Sequence, residues 1–170
     1  MAVIPRLTHS ATLFIVIRRD TMGLDMYLTG RRGIAGKWMQ EPQEDLLRQA
    51  ISKATGFDEE KIKGIELDLT YWRKANAIHK WFVDNCQNGV DDCDRYYVTR
   101  KQLQKLQDLA YKGWKERDPV YLPPENGFFF GSTDTNDYYF EQLKYTYNEI
   151  TNILENYRYS DLQFFYQSSW

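Results

Sequence analysis

Apolar side chains recur along this sequence in two rhythms. Some alternate with polar neighbours, as on a strand with one buried face. Others return every third or fourth residue, as on a helix with one buried stripe. A chain carrying both rhythms builds sheet and helix in one body. Leu24-Asp-Met-Tyr-Leu28 alternates and reads as a strand. Residues 62–69 do the same, with Ile62, Ile65, Leu67 and Leu69 set among charges. Ala11–Ile17, dense in β-branched and aromatic residues, reads as a further strand, joined to Leu24–Leu28 by the turn-like Arg18–Gly23. Tyr96–Val98, Phe128–Phe130 between two glycines, and Leu162–Tyr166 complete the extended pieces.

Four helices separate these strands. Pro42 suits a first helical position, Leu46, Leu47, Ala50, Ile51 and Ala54 form a stripe, and Gly56 stops it. The apolar spacing predicts a second helix over 70–85, with Tyr71, Ala75, Ile78 and Phe82 on one stripe and Trp72, His79, Val83 and Cys86 beside them. Thr99 and Gln102 have capping-box spacing, and Leu103, Leu106, Leu109 and Ala110 carry that helix to Gly113. The longest helix spans 135–157, with Tyr139, Leu143, Tyr147, Ile150 and Leu154 as its stripe. Gly30, Gly33 and Gly36, with Arg31, Arg32 and Lys37, read as a loose basic loop. The expected fold is α+β: a single compact domain over 22–170, with a small, mostly antiparallel sheet against three to four helices. Residues 1–21 form an N-terminal extension or an added strand.

Composition excludes several classes. The 170 residues carry 22 basic and 24 acidic side chains, a net charge of −2. A general nucleic-acid coat is strongly basic, and a polyanionic mimic strongly acidic. Two cysteines are too few for a disulfide framework. The longest apolar run, Ala11–Ile17, is far short of the roughly 20 residues that span a bilayer. It also lacks a small-residue cleavage site, so it makes a poor signal peptide and the cytosol is the expected compartment. Charge is uneven: residues 1–117 hold 20 basic and 16 acidic side chains, and residues 118–170 hold 2 and 8. That division predicts self-complementarity within one fold, or a positive face for an anion.

Strand, turn, strand, then Arg31-Arg32-Gly33 and a helix ending at Thr55-Gly56-Phe57, has the rhythm of a Nudix hydrolase. That family needs a row of helical glutamates to hold magnesium, a cation that demands oxygen ligands. Gln49, Lys53 and Ala54 stand at those positions, so a capped amphipathic helix is the better account.

The densest chemistry lies in 71–97. With a helix there, Arg73, Asn76 and Lys80 share one face. Guanidinium, amide and ammonium beside Tyr71 and Trp72 suit a stackable, phosphate-bearing ligand such as a nucleotide. The other reading is a solvated charged face beside core aromatics. His79 is a core histidine or a base titrating near neutral pH. Asp91 and Asp92 complete the candidate ligand-binding set of Tyr71, Trp72, Arg73, Asn76, His79 and Lys80. With Asp94, these aspartates read as a cation site or, more simply, a solvated acidic turn. The spacing of His79, Cys86 and Cys93 does not match a zinc site, which opens with cysteines two to four residues apart. Ser132, Thr133 and Asp134 read as helix caps or as an anion-binding turn. No complete catalytic set and no cofactor motif is present in the sequence.

Met22–Leu28, Tyr71–Val83, Gly89–Cys93, Gly127-Phe-Phe-Phe-Gly-Ser-Thr133 and Tyr166-Gln-Ser-Ser-Trp170 resemble a family of small proteins of tailed bacteriophages and prophages, over about residues 22–170. Its members often begin at the equivalent of Met22. The resemblance implies a phage origin and the cytoplasm of an infected bacterium; it assigns no role to any residue. Three functions follow as expectations. The first is a non-enzymatic binding protein that sequesters a nucleotide-like ligand or inhibits a host defence factor. The second is a metal-dependent phosphoesterase, with Asp25, Asp91, Asp92 and Asp94 on the metal and His79 moving a proton. The third is a minor virion or assembly protein that uses its aromatics at an oligomer interface.

Overall fold

The computed structural model describes residues 23–35, 41–127, 130–158 and 160–170. The strand expected at Ala11–Ile17, the extension 1–21, Gly36 and Lys37 lie outside the described residues. The elements run β1 (Asp25–Gly33), α1 (Pro42–Thr55), β2 (Gly64–Arg73), α2 (Asn76–Cys86), β3 (Tyr96–Val98), α3 (Arg100–Glu116), α4 (Asp137–Asn156) and β4 (Gln163–Ser169). Short 3-10 turns occupy Glu59–Lys61 and Pro119–Tyr121.

The four strands form one antiparallel sheet in the order β2-β1-β4-β3. Met26 lies opposite Trp72 and Ser168, Leu28 opposite Tyr166, and Val98 opposite Phe164. Strand side chains alternate between faces, so these residues share the inner face, where all of them are buried. Ile78 and Phe82 of α2, Leu103, Leu106 and Ala110 of α3, and Leu143 and Ile150 of α4 join them in one core. The Phe82 ring stacks on Tyr166 at 3.9 Å and 8°. Each fully buried Leu, Ile, Phe or Met among them stabilises the fold by roughly 1.5–3 kcal/mol. This is the expected α+β arrangement, and the C-terminal segment docks into the sheet as the second of its central strands.

Local signals placed several boundaries well. Gly56 ends α1 in the left-handed region at φ 76. The Thr99 hydroxyl accepts from Gln102 N–H while the Gln102 side chain accepts from Thr99 N–H, so the capping box holds. The unequal charge of the two chain segments is matched internally: Arg117 pairs with Asp137 at 2.6 Å, and Arg100 donates to the carbonyls of Leu154 and Tyr157 near the end of α4.

Two expectations are corrected. Residues 70–73 extend β2 rather than open a helix. Thr70, Tyr71 and Trp72 favour strands, and they pair with Leu28, Tyr27 and Met26. Lys74, at φ 54, then turns the chain into α2. Gly30 and Gly33 lie inside β1, not in a loop. A Cβ on Gly30 would sit 2.5 Å from Leu162 Cδ2, so the bare backbone is what lets Leu162 pack there. The stripe on α1 is not core: Arg48 is its one buried residue and Leu46 is 65% exposed. Of the expected strand at Phe128–Phe130, Phe128 and Phe129 lie outside the described residues. Phe130 N–H closes a turn onto Gly127 O at 3.1 Å.

Candidate functional site

The β2–α2 junction sets the site. Trp72 faces the core, 1% exposed, and its indole N–H donates to Thr146 Oγ1 at 3.0 Å. It offers no ring to a ligand. Tyr71 points to the outer sheet face, where its hydroxyl donates to Asp25. Burial, and then the Asp25 carboxylate that this hydroxyl serves, raises the Tyr71 pKa. Arg73 is on the strand and pairs with Asp25 at 3.3 Å. The expected helix face of Arg73, Asn76 and Lys80 is therefore not formed; Asn76 and Lys80 alone are on α2.

Asn76 is 4% exposed and works as a clamp. Its amide Nδ2 donates to Phe130 O at 3.2 Å and Ser132 O at 2.9 Å, and its Oδ1 accepts from Glu125 N–H at 3.3 Å. This fastens the chain at Glu125, Phe130 and Ser132 to the start of α2. Between the two lies a cavity of about 290 Å³. Its walls are Ala77, Ile78, Tyr138, Tyr139 and Leu143, and its polar groups come from Lys74, Ser132, Asp134, Asn136 and Gln142. Ala75 stands at the N-cap of α2 with no side-chain oxygen to serve the first N–H groups. The start of α4 is by contrast closed, because Asn136 Oδ1 accepts from Tyr139 N–H. Asn136, not Ser132, Thr133 or Asp134, is thus the cap.

A second hollow, about 280 Å³, opens beside His79 and Lys80. His79 is 1% exposed. Its Nε2 lies 3.0 Å from Asp91 Oδ2 and its Nδ1 lies 2.7 Å from the Tyr166 hydroxyl. A carboxylate only accepts, so Nε2–H donates to Asp91. Nδ1 then accepts from Tyr166, whose hydroxyl proton would otherwise have no acceptor. Phe130 meets the imidazole edge-on at 4.9 Å, and Trp170 Nε1 donates to Asp91 Oδ1 at 3.2 Å. Burial, with the Asp91 charge adding, pushes the Tyr166 phenol well above its usual pKa. Lys80 bridges Glu125 at 3.1 Å and Asp84 at 3.3 Å, and these carboxylates raise its pKa. With Asp84, Asp91 and Glu125 around one lysine, this hollow is acidic and does not accept anions.

Asp92 turns away from His79. It accepts from the Tyr96 hydroxyl at 2.8 Å and from Asp94 N–H at 3.0 Å, and these bonds hold its carboxyl below the usual range. Asp25 is on β1 with Tyr71 and Arg73. Among the described residues no three of His, Cys, Asp and Glu converge to hold a metal ion, so the ligand set of the phosphoesterase reading is not assembled. Among the described residues no helix is long and apolar enough to cross a membrane.

Cys86 and Cys93 are free thiols. Burial pushes Cys86 up to about 12. At pH 8 the native protein should therefore lose Cys86 thiol to iodoacetamide at least about a hundredfold more slowly than the urea-unfolded chain, because the thiolate is the nucleophile. Peptide mass spectrometry over time reads this directly.

The sequence marked Asn76 and His79 for attention but not their partners. It missed Lys74, Tyr138 and Gln142 as cavity residues. The polar turn at 131–134 was the one available signal, since Gly131, Ser132 and Asp134 line the cavity. No protein-family model, curated protein or solved structure matches this chain. What it does is read from its own geometry.

Proposed function

We propose that this chain is a non-enzymatic binding protein that sequesters a nucleotide-like anion in the cavity at the start of α2, and that it is a tailed-phage product acting in the cytoplasm of the infected host. The carrying observation is the cavity itself. It combines apolar and aromatic walls with a few polar groups, the ordinary form of a small-ligand site. Tyr138, 59% exposed at its rim, offers a ring to a base. Lys74 and the uncapped first turn of α2 offer positive charge to a phosphate. Lys74–Ile78 and Gly131–Ser132, far apart in sequence, meet there, and both belong to motifs of the phage resemblance. The reading moves the ligand from the hollow beside His79 and Lys80, where the sequence put it, to the neighbouring cavity lined by Lys74–Ile78.

Thermal shift and calorimetry against nucleoside mono-, di- and cyclic phosphates test this. A binding nucleotide should raise Tm, and Lys74→Ala should weaken it about 10- to 100-fold, the worth of a charged hydrogen bond, with unchanged circular dichroism. A full panel with no shift, or a Lys74→Ala variant that binds as tightly, removes the reading.

A further inference from the structure

The cavity at the start of α2 holds two opposite charges that do not meet. Lys74 and Asp134 both line it, both are exposed, and neither has an ion pair among the described residues. The Lys74 side chain lies against the bare Gly131, where an added Cβ would stand 3.1 Å from Lys74 Cβ. Asp134 follows on the same turn. Its N–H donates to Ser132 Oγ at 3.0 Å, and Asn136 takes over the cap of α4, so the Asp134 carboxylate is left unspent. Gln142 of α4 is half-buried in the same wall, and its side-chain amide also has no hydrogen bond among the described residues.

These two charges sort the parts of a nucleotide. The phosphate goes to Lys74, because a carboxylate repels it. The base must then bring hydrogen-bond donors to Asp134, whose carboxylate only accepts. Bases differ in this respect. Adenine and cytosine set one donor beside an acceptor on the pairing edge, and uracil sets its one donor between two acceptors. Guanine alone offers two neighbouring donors, N1–H and the N2 amine, which the two oxygens of one carboxylate accept together. Its O6, next to N1–H, is an acceptor, and the Gln142 amide is a donor.

We infer that Asp134 makes this cavity selective for a guanine base, with the carboxylate on N1–H and the N2 amine and the Gln142 amide on O6. The inference rests on the nucleotide reading above and adds the identity of the base. Lys74 serves the phosphate that every nucleotide carries, whereas Asp134 tells one base from another. Adenine in the same place would turn its N1 lone pair on a carboxylate, an acceptor facing an acceptor. A site built for donors rejects such an analogue, because its own polar group is left unpaired.

Calorimetry with the monophosphates of guanosine, inosine, xanthosine and adenosine tests this. The guanosine nucleotide should bind most tightly. The inosine nucleotide, which lacks the N2 amine, and the adenosine nucleotide should bind about 10- to 100-fold more weakly, the worth of a hydrogen bond to a charged group. Asp134→Asn presents one acceptor and one donor. It should weaken guanosine binding by a similar factor and strengthen that of xanthosine, whose C2 carries a carbonyl oxygen. Circular dichroism should not change, because the carboxylate makes no internal bond. A merely structural role would weaken all four nucleotides alike, and that result overturns the inference. So do equal affinities for the guanosine and adenosine nucleotides, or a folded Asp134→Asn variant that keeps the guanosine preference. Each of these leaves the nucleotide reading standing. No binding of any of the four up to millimolar ligand also overturns the inference, and the nucleotide reading falls with it if the di- and cyclic phosphates fail as well.

Discussion

Asn76→Ala is expected to destabilise the protein by about 2–4 kcal/mol, because an unmade buried hydrogen bond costs about 1–3 kcal/mol and this change strands several partners. The amide serves Phe130 O, Ser132 O and Glu125 N–H at once. Water reaches part of this set, which keeps the loss below a simple total. Urea denaturation followed by tryptophan fluorescence measures it. The same change loosens the wall that carries Ser132, so nucleotide binding in the cavity should fall with it.

Asn76→Asp separates the hydrogen-bond role from side-chain size. The carboxylate would face two carbonyl oxygens, which disfavours its charged form and raises its folded pKa above the ordinary value near 3.9. A raised folded pKa means the native state binds the extra proton first, so stability is gained as pH falls and lost as pH rises through the folded pKa. The penalty of Asn76→Asp relative to the unsubstituted protein should therefore be largest at pH 7 and shrink toward pH 4. A penalty independent of pH would show that the amide is not enclosed as described.

His79→Leu is expected to cost about 2–4 kcal/mol, by orphaning the buried Tyr166 hydroxyl and removing one partner of Asp91. Asp91 is 25% exposed and keeps Trp170, so much of its loss is recovered from water. Tyr166 is fully buried and recovers nothing. Tyr166→Phe in the His79→Leu background should then be nearly neutral, while Tyr166→Phe alone should cost about 1–2 kcal/mol. The coupling in the double-mutant cycle should be at least about 1 kcal/mol, well above what independent sites show. Additive losses would mean that the imidazole and the phenol do not bond. The cycle also decides the character of His79, because a histidine spent on two internal bonds is a strut between α2, β4 and the acidic turn.

Much of the fold was legible because its signals act over a few residues. Alternation at 24–28 and 162–166, the Thr99 box, the stripe of α4 and the glycine after α1 each depend on backbone geometry within a turn or a strand pair. The β2–α2 boundary was not legible. Tyr71 and Trp72 fit a helical stripe as well as a strand, and pairing with Tyr27 and Met26 settled the matter. The stripe on α1 shows the converse: the period is helical, but no period says whether another element covers it.

The site was half legible for the same reason. Its residue types were visible around 71–91, but their roles depend on partners far along the chain. His79 meets Tyr166 across 87 positions and Asn76 meets Ser132 across 56. By itself the sequence determined an α+β chain with a buried aromatic helix and polar turns at known places, since propensity, capping and periodicity are local. Only the tertiary structure decided what α2 shares its two hollows with, which of them is acidic, and which aromatic rings reach solvent. Those outcomes rest on sheet register and long-range hydrogen bonds, to which each residue contributes only once the whole core has closed.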